Sequence, residues 1–177
     1  MRFPRLPDGQ RAYSIVERGD GVYYRLHQGV AGARLPHDLV HLVVERETGE
    51  DGGFWGAVAA GAVFGSMEHL SGRRRPHAQD RSAAAIGQRG PQLMRAELMA
   101  GLVEYVADHR ITAPEQVRTA AREALSTLPD SSVDEPAVIK AGQALREAQE
   151  RWARLVVGEE LLVDWPESRR RGIKRRR

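Results

Sequence analysis

The sequence predicts an α+β domain: a small antiparallel sheet, made by an N-terminal hairpin and a C-terminal strand, packed on about five helices. Three observations lead there. Two β-branched and aromatic segments flank Arg18-Gly19-Asp20-Gly21 near the start, apolar stripes at helical spacing follow from residue 36 onward, and Leu161-Leu162-Val163-Asp164-Trp165 closes the ordered part of the pattern.

The hairpin is read from residues 13–16 and 22–26. Tyr13 and Ile15 on one arm, with Val22, Tyr24 and Leu26 on the other, alternate with a period of two, and the glycines between them supply a tight turn. A first helix is expected over 36–48, opened by Leu35-Pro36 and closed by Gly49. The run from Phe54 to Phe64 is apolar on every side, which predicts a buried central helix. Residues 71–90 hold few apolar side chains around Arg73-Arg74-Arg75-Pro76, so a long flexible loop is expected there.

Pro91 then begins an amphipathic helix with Met94, Leu98, Leu102 and Val106 on one face, ending near His109. Thr112 and Glu115 predict a capping box for the next helix, which carries Val117, Ala121, Ala124 and Leu128 and stops at Pro129. Ser132 with Glu135 predicts a further start, and Val138, Leu145 and Trp152 recur every seven residues along a longest helix over 135–156. The final strand is expected to join the hairpin, bounded by Pro166.

With 177 residues, 41% of them hydrophobic and 29% charged, the chain fits one globular domain over 1–166 with a basic tail over 167–177. The longest apolar run falls short of the roughly 20 residues that a membrane span needs. No cysteine is present, so disulfides, thiolate metal sites and cysteine nucleophiles are excluded and metal ligands must come from His, Asp and Glu. The N-terminal seven residues lack the apolar stretch of a secretory signal, and a cytoplasmic protein is expected.

The net charge of +3 is unevenly placed. The last eleven residues hold seven basic side chains, Arg169, Arg170, Arg171, Lys174, Arg175, Arg176 and Arg177, against Glu167 alone, which leaves the first 166 residues with 20 basic and 23 acidic groups. Such a block suits a polyanion, either nucleic acid or an acidic protein, through salt-sensitive counterion release, and the absence of interleaved aromatics excludes base stacking.

The most informative stretch is Pro36-His37-Asp38-Leu39-Val40-His41-Leu42-Val43-Val44-Glu45. At 100° per residue, His37, Asp38, His41 and Glu45 share an arc of about 100°, opposite Leu39, Val40, Leu42, Val43 and Val44. Two imidazoles four residues apart can face one cation, with Glu45 as third ligand and Asp38 as the base beside them; zinc is the natural ion for this donor set. The same pattern also fits a solvent-facing polar surface, with Asp38 favoured by the free amides and macrodipole of the helix start.

His37-Asp38-x-x-His41 is similar to the His-Glu-x-x-His helix of zincin metallopeptidases, with His37 and His41 at the ligand histidines and Asp38 at the general-base glutamate. Aspartate is one methylene shorter than the family's residue. In the gluzincin branch the third ligand comes from a separate helix, which implies Glu68 or Glu97 here. The His37-Asp38 doublet also resembles HD-domain phosphohydrolases, for which Asp108 matches the later aspartate, while the earlier helical histidine is missing because His27 lies on a strand. Two readings follow: a non-enzymatic interaction or regulatory protein acting through its arginine tail, and a metal-dependent hydrolase built on His37, Asp38, His41 and Glu45.

Overall fold

The computed structural model describes residues 1–74 and 76–166. Among these residues the fold is α+β, with a five-stranded antiparallel sheet and six helices. In chain order these are β1 (Arg2–Pro4), β2 (Arg11–Glu17), β3 (Tyr23–Val30), α1 (His37–Thr48), α2 (Phe54–Ala59), β4 (Met67–Ser71), α3 (Ala78–Gly87), α4 (Gly90–Asp108), α5 (Pro114–Ala124), α6 (Glu135–Arg154) and β5 (Glu160–Leu162). The strand order is β4-β3-β2-β1-β5. The basic residues between 169 and 177 lie outside the described residues.

The hairpin forms, but Tyr13 and Ile15, expected on the buried face of its first arm, are only half-buried, because the register sets Ser14 and Val16 opposite the buried Leu26 and Tyr24. Ser14 pairs with Leu26 and Val16 with Tyr24, and all four side chains are buried, while Tyr13 opposite His27 and Ile15 opposite Arg25 occupy the half-exposed face. Inward strand residues Phe3, Val16, Tyr24 and Leu26 join α1, α4 and α6 in one continuous core. Each large side chain removed from water there contributes roughly 1.5–3 kcal/mol. Within that core α1 packs on α2, α4 and α6. Every residue from Leu39 to Glu45 is buried, so α1 is the central helix of the molecule.

That placement corrects the reading of residues 54–64. Only Phe54–Ala59 is helical, because the chain turns at Gly61 with φ +109°, a conformation open to glycine but strained for L side chains. The expected loop over 71–90 is also corrected. Ser71 ends β4 on the sheet edge, and α3 fills much of the rest with only Ser82 buried, so it carries no apolar stripe to betray it. The Ser82 hydroxyl ties α3 down by accepting from Val63 N at 2.7 Å and donating to Val63 O at 3.0 Å.

β1 was not expected. It lies between the hairpin and β5, pairing Arg2 with both Ile15 and Leu162, so the last strand joins β1 instead of the hairpin itself. Two caps differ as well: α5 starts from Ala113 without a side-chain cap, and α6 starts from Asp134, whose carboxylate accepts from Ala137 N at 3.1 Å. Among the described residues, no helix is long and apolar enough to cross a membrane.

Candidate metal centre

The candidate site lies where the first turns of α1 meet the middle of α4. Pro36 holds an extended conformation just before the helix, and its carbonyl accepts from Leu39 N and Val40 N, which sets His37 and Asp38 in the opening turn. The four-residue spacing then sets His41 edge-on beside His37, with ring centroids 4.5 Å apart. Burial of the apolar side of α1 against α4 brings Glu97 alongside both rings.

Glu97 Oε2 is 3.3 Å from Nε2 of His41 and 3.8 Å from Nε2 of His37. One donor atom from each of the three residues lies within 4.8 Å of the others. A tetrahedral ion held at about 2.0–2.1 Å by nitrogen and oxygen donors sets them about 3.3–3.4 Å apart, so the cluster is near ligand spacing before any ion enters. Among the described residues it is the one group of three or more His, Asp or Glu side chains so arranged.

Exposure divides the three. The side chains of His37 and Glu97 are 69% and 59% exposed, which leaves an approach from solvent, whereas His41 is 3% exposed overall. Neither ring nitrogen of His41 makes a hydrogen bond of acceptable geometry. A buried imidazole in that condition carries a desolvation cost of about 1–3 kcal/mol, which a metal bond at Nε2 would offset. Burial lowers its pKa; Glu97 opposes the shift and His37 reinforces it. The outcome favours the neutral ring, the form that ligates.

Asp38 stands beside the pair, with Oδ1 3.9 Å from Nδ1 of His37 and Oδ2 buried without a hydrogen bond. Burial pushes its carboxyl up to about 6, with His37 and Gln28 pulling down and Glu97 adding to the rise. Its backbone carbonyl accepts from Trp55 Nε1 at 2.7 Å, which fastens α2 to the site.

Glu45 does not take the expected ligand position. Its Oε2 accepts from Trp55 N at 2.9 Å and Gly56 N at 3.1 Å, the free amides at the start of α2, and Glu97 stands in the third place instead. Burial raises the Glu45 carboxyl to about 8, against the amides of Gly56, Trp55 and Phe54, which favour its charge, while Glu50 adds to the rise. Glu68 sits on β4 against His27 and Arg25. Asp108 lies eleven residues beyond Glu97 on α4, about 16 Å along the helix. The HD-like arrangement therefore lacks its later aspartate at the site, while a glutamate from a separate helix is present.

Of the two carboxylates that the gluzincin resemblance implied, Glu68 and Glu97, the packing of α1 on α4 brings Glu97 to the histidines. The Gly52-Gly53 pair was a visible signal whose role sequence reasoning missed. A Cβ on Gly53 would stand 2.5–2.8 Å from the Glu45 carboxylate, so the glycine makes room for that group. No family model, curated protein or solved structure matches the chain.

Proposed function

We propose that the chain binds one divalent transition metal, zinc foremost, through His37, His41 and Glu97, and that with Asp38 it forms a metal-dependent hydrolytic centre. The observation that carries the reading is the approach of both Nε2 atoms to Glu97 Oε2, within a set of three donor atoms no more than 4.8 Å apart, with the His41 ring buried and lacking a hydrogen bond of acceptable geometry. Three protein donors with an open solvent side match the ligand number of catalytic zinc sites, whereas structural sites close with four. A bound ion supplies Lewis acidity toward a substrate oxygen. Asp38 accepts the proton of the attacking water and returns it to the leaving group; its partly buried carboxyl, shifted to about 6, suits exchange near neutral pH.

The decisive measurement is the metal content of untagged protein prepared without chelator. About one ion per chain is expected in the wild type and none in His37→Ala/His41→Ala, by the two-imidazole requirement of such a site. A wild type that stays empty after dialysis against zinc overturns the reading. Asp38→Asn is expected to retain the ion while losing hydrolysis, and full hydrolysis in that variant removes Asp38 as the base.

The arginine tail supports a second proposal, contact with nucleic acid or an acidic protein through Arg169, Arg170, Arg171, Lys174, Arg175, Arg176 and Arg177. Its support is the concentration of seven basic groups in eleven residues. Binding to a polyanion should weaken with salt and disappear on deletion of residues 168–177.

A further inference from the structure

His41 lies between two carboxylates. Glu97 faces Nε2 at 3.3 Å, and Glu45 Oε1 faces Nδ1 at 3.9 Å from one turn further along α1. A histidine that ligates through Nε2 must carry its proton on Nδ1, and the partner of that proton fixes both tautomer and ring orientation. Glu45 is the carboxylate on that side.

Its carboxylate is built into place from outside α1. Trp55 N and Gly56 N hold Oε2, the missing Cβ of Gly53 leaves space for the group, and the Trp55 indole donates to the Asp38 carbonyl. The segment from Gly53 to Gly56 thus fastens α1 at two points, one beside His37 and one beside His41. Glu45 is 1% exposed, so bulk water does not substitute for it. A buried acid used only to cap a six-residue helix would be a costly choice, since an N-cap Ser or Asp satisfies such amides at the surface.

From this geometry we infer that Glu45 is a positioning residue, clamped by the amides of α2, that holds the Nδ1–H of His41 and aims Nε2 at the metal. The inference rests on the proposed metal centre. A small rotation of the imidazole closes the 3.9 Å gap to hydrogen-bond length as Nε2 turns onto the ion. The loop between α1 and α2 then acts as part of the site although none of its residues touches the ion.

The test is zinc titration of the full chain by competition with a chromophoric chelator, in the wild type, Glu45→Gln and Gly53→Ala. Glutamine keeps an oxygen for the α2 amides but sets an NH2 donor where the second carboxyl oxygen of Glu45 faces Nδ1–H. Glu45→Gln is expected to weaken zinc about 10- to 100-fold, the usual cost of losing a ligand's outer partner, with unchanged far-ultraviolet circular dichroism. Gly53→Ala, at φ −73°, is open to alanine in backbone terms but crowds the carboxylate, and a loss in the same direction is expected.

Side-chain nitrogen NMR of the zinc-loaded wild type supplies a readout that a purely structural role would not move. His41 is expected as the Nδ1–H tautomer with zinc on Nε2, and its Nδ1–H resonance should shift upfield in Glu45→Gln. Zinc on Nδ1, or a Glu45→Gln affinity within twofold of wild type, overturns the positioning role and leaves the metal centre standing. Failure of the wild type to bind zinc overturns both.

Discussion

Two buried polar clusters in this molecule are handled in opposite ways. At the hairpin turn, Arg18 is 8% exposed, yet its Nε and Nη2 donate to the two oxygens of Asp20 at 2.9 and 2.8 Å, and its Nη1 donates to Gly61 O at 3.2 Å. The guanidinium also lies over the Tyr24 ring, 5.1 Å from its centroid. At the α1–α4 seam, His41 is 3% exposed and faces Glu97 at 3.3 Å and Glu45 at 3.9 Å, yet neither ring nitrogen makes a hydrogen bond of acceptable geometry. The first cluster is complete within the chain and locks the turn at Gly61 to the hairpin. The second leaves a buried ring facing two carboxylates without a well-formed hydrogen bond, the condition that the proposed metal would relieve.

The largest effect that sharpens this contrast is expected at the complete cluster. Arg18→Ala strands Asp20 and the Gly61 carbonyl and should destabilise the fold by about 2–3 kcal/mol, less than for a fully buried pair because Asp20 is partly exposed. Urea unfolding measures it, and a loss below about 0.5 kcal/mol would show the cluster to be ornamental. Zinc affinity should be unaffected.

At the incomplete cluster the sign reverses. His41→Leu replaces an imidazole that lacks a well-formed hydrogen bond with an apolar side chain and should stabilise the metal-free protein by about 1 kcal/mol, while abolishing the rise in Tm that the proposed zinc site predicts for the wild type. A metal-free variant less stable than the wild type would mean that His41 is satisfied within the chain, and the contrast would collapse.

A third effect is read as a slope. The Glu45 carboxyl is raised from its ordinary 4.5 to about 8 in the metal-free fold, so the folded state holds a proton that the unfolded state has released across that window. Its stabilising contribution is full below about 4.5 and is lost as pH rises toward 8. Glu45→Gln should therefore flatten the decline of stability across that window, and an unchanged slope would show the group to be ionised throughout. Asp20 gives the opposite sign, since Arg18 holds its carboxyl below the ordinary 3.8 and its contribution is lost as pH falls through that lowered value.

Legibility in the sequence followed the range of the interaction. Tyr13, Ile15, Tyr24 and Leu26 announced the hairpin because alternation is a property of the strand itself. β1 stayed hidden because three residues carry no period; Arg2–Pro4 is a strand only through its ladders to β2 and β5. α3 stayed hidden because it buries only Ser82.

The site divides in the same way. His37, Asp38 and His41 were readable from the sequence because helical spacing alone puts them on one arc, and with them the residue types that a zinc site without cysteine requires. Tertiary structure decided the rest: that α4 covers this arc and buries His41, that Glu97 is the carboxylate brought beside the two histidines, and that Glu45, on the same arc, is drawn away by the amides of α2. Angular position on a helix is fixed within a turn or two of backbone, whereas the identity of the group facing it across a packed interface depends on side chains more than fifty positions away in the chain, which no local pattern encodes.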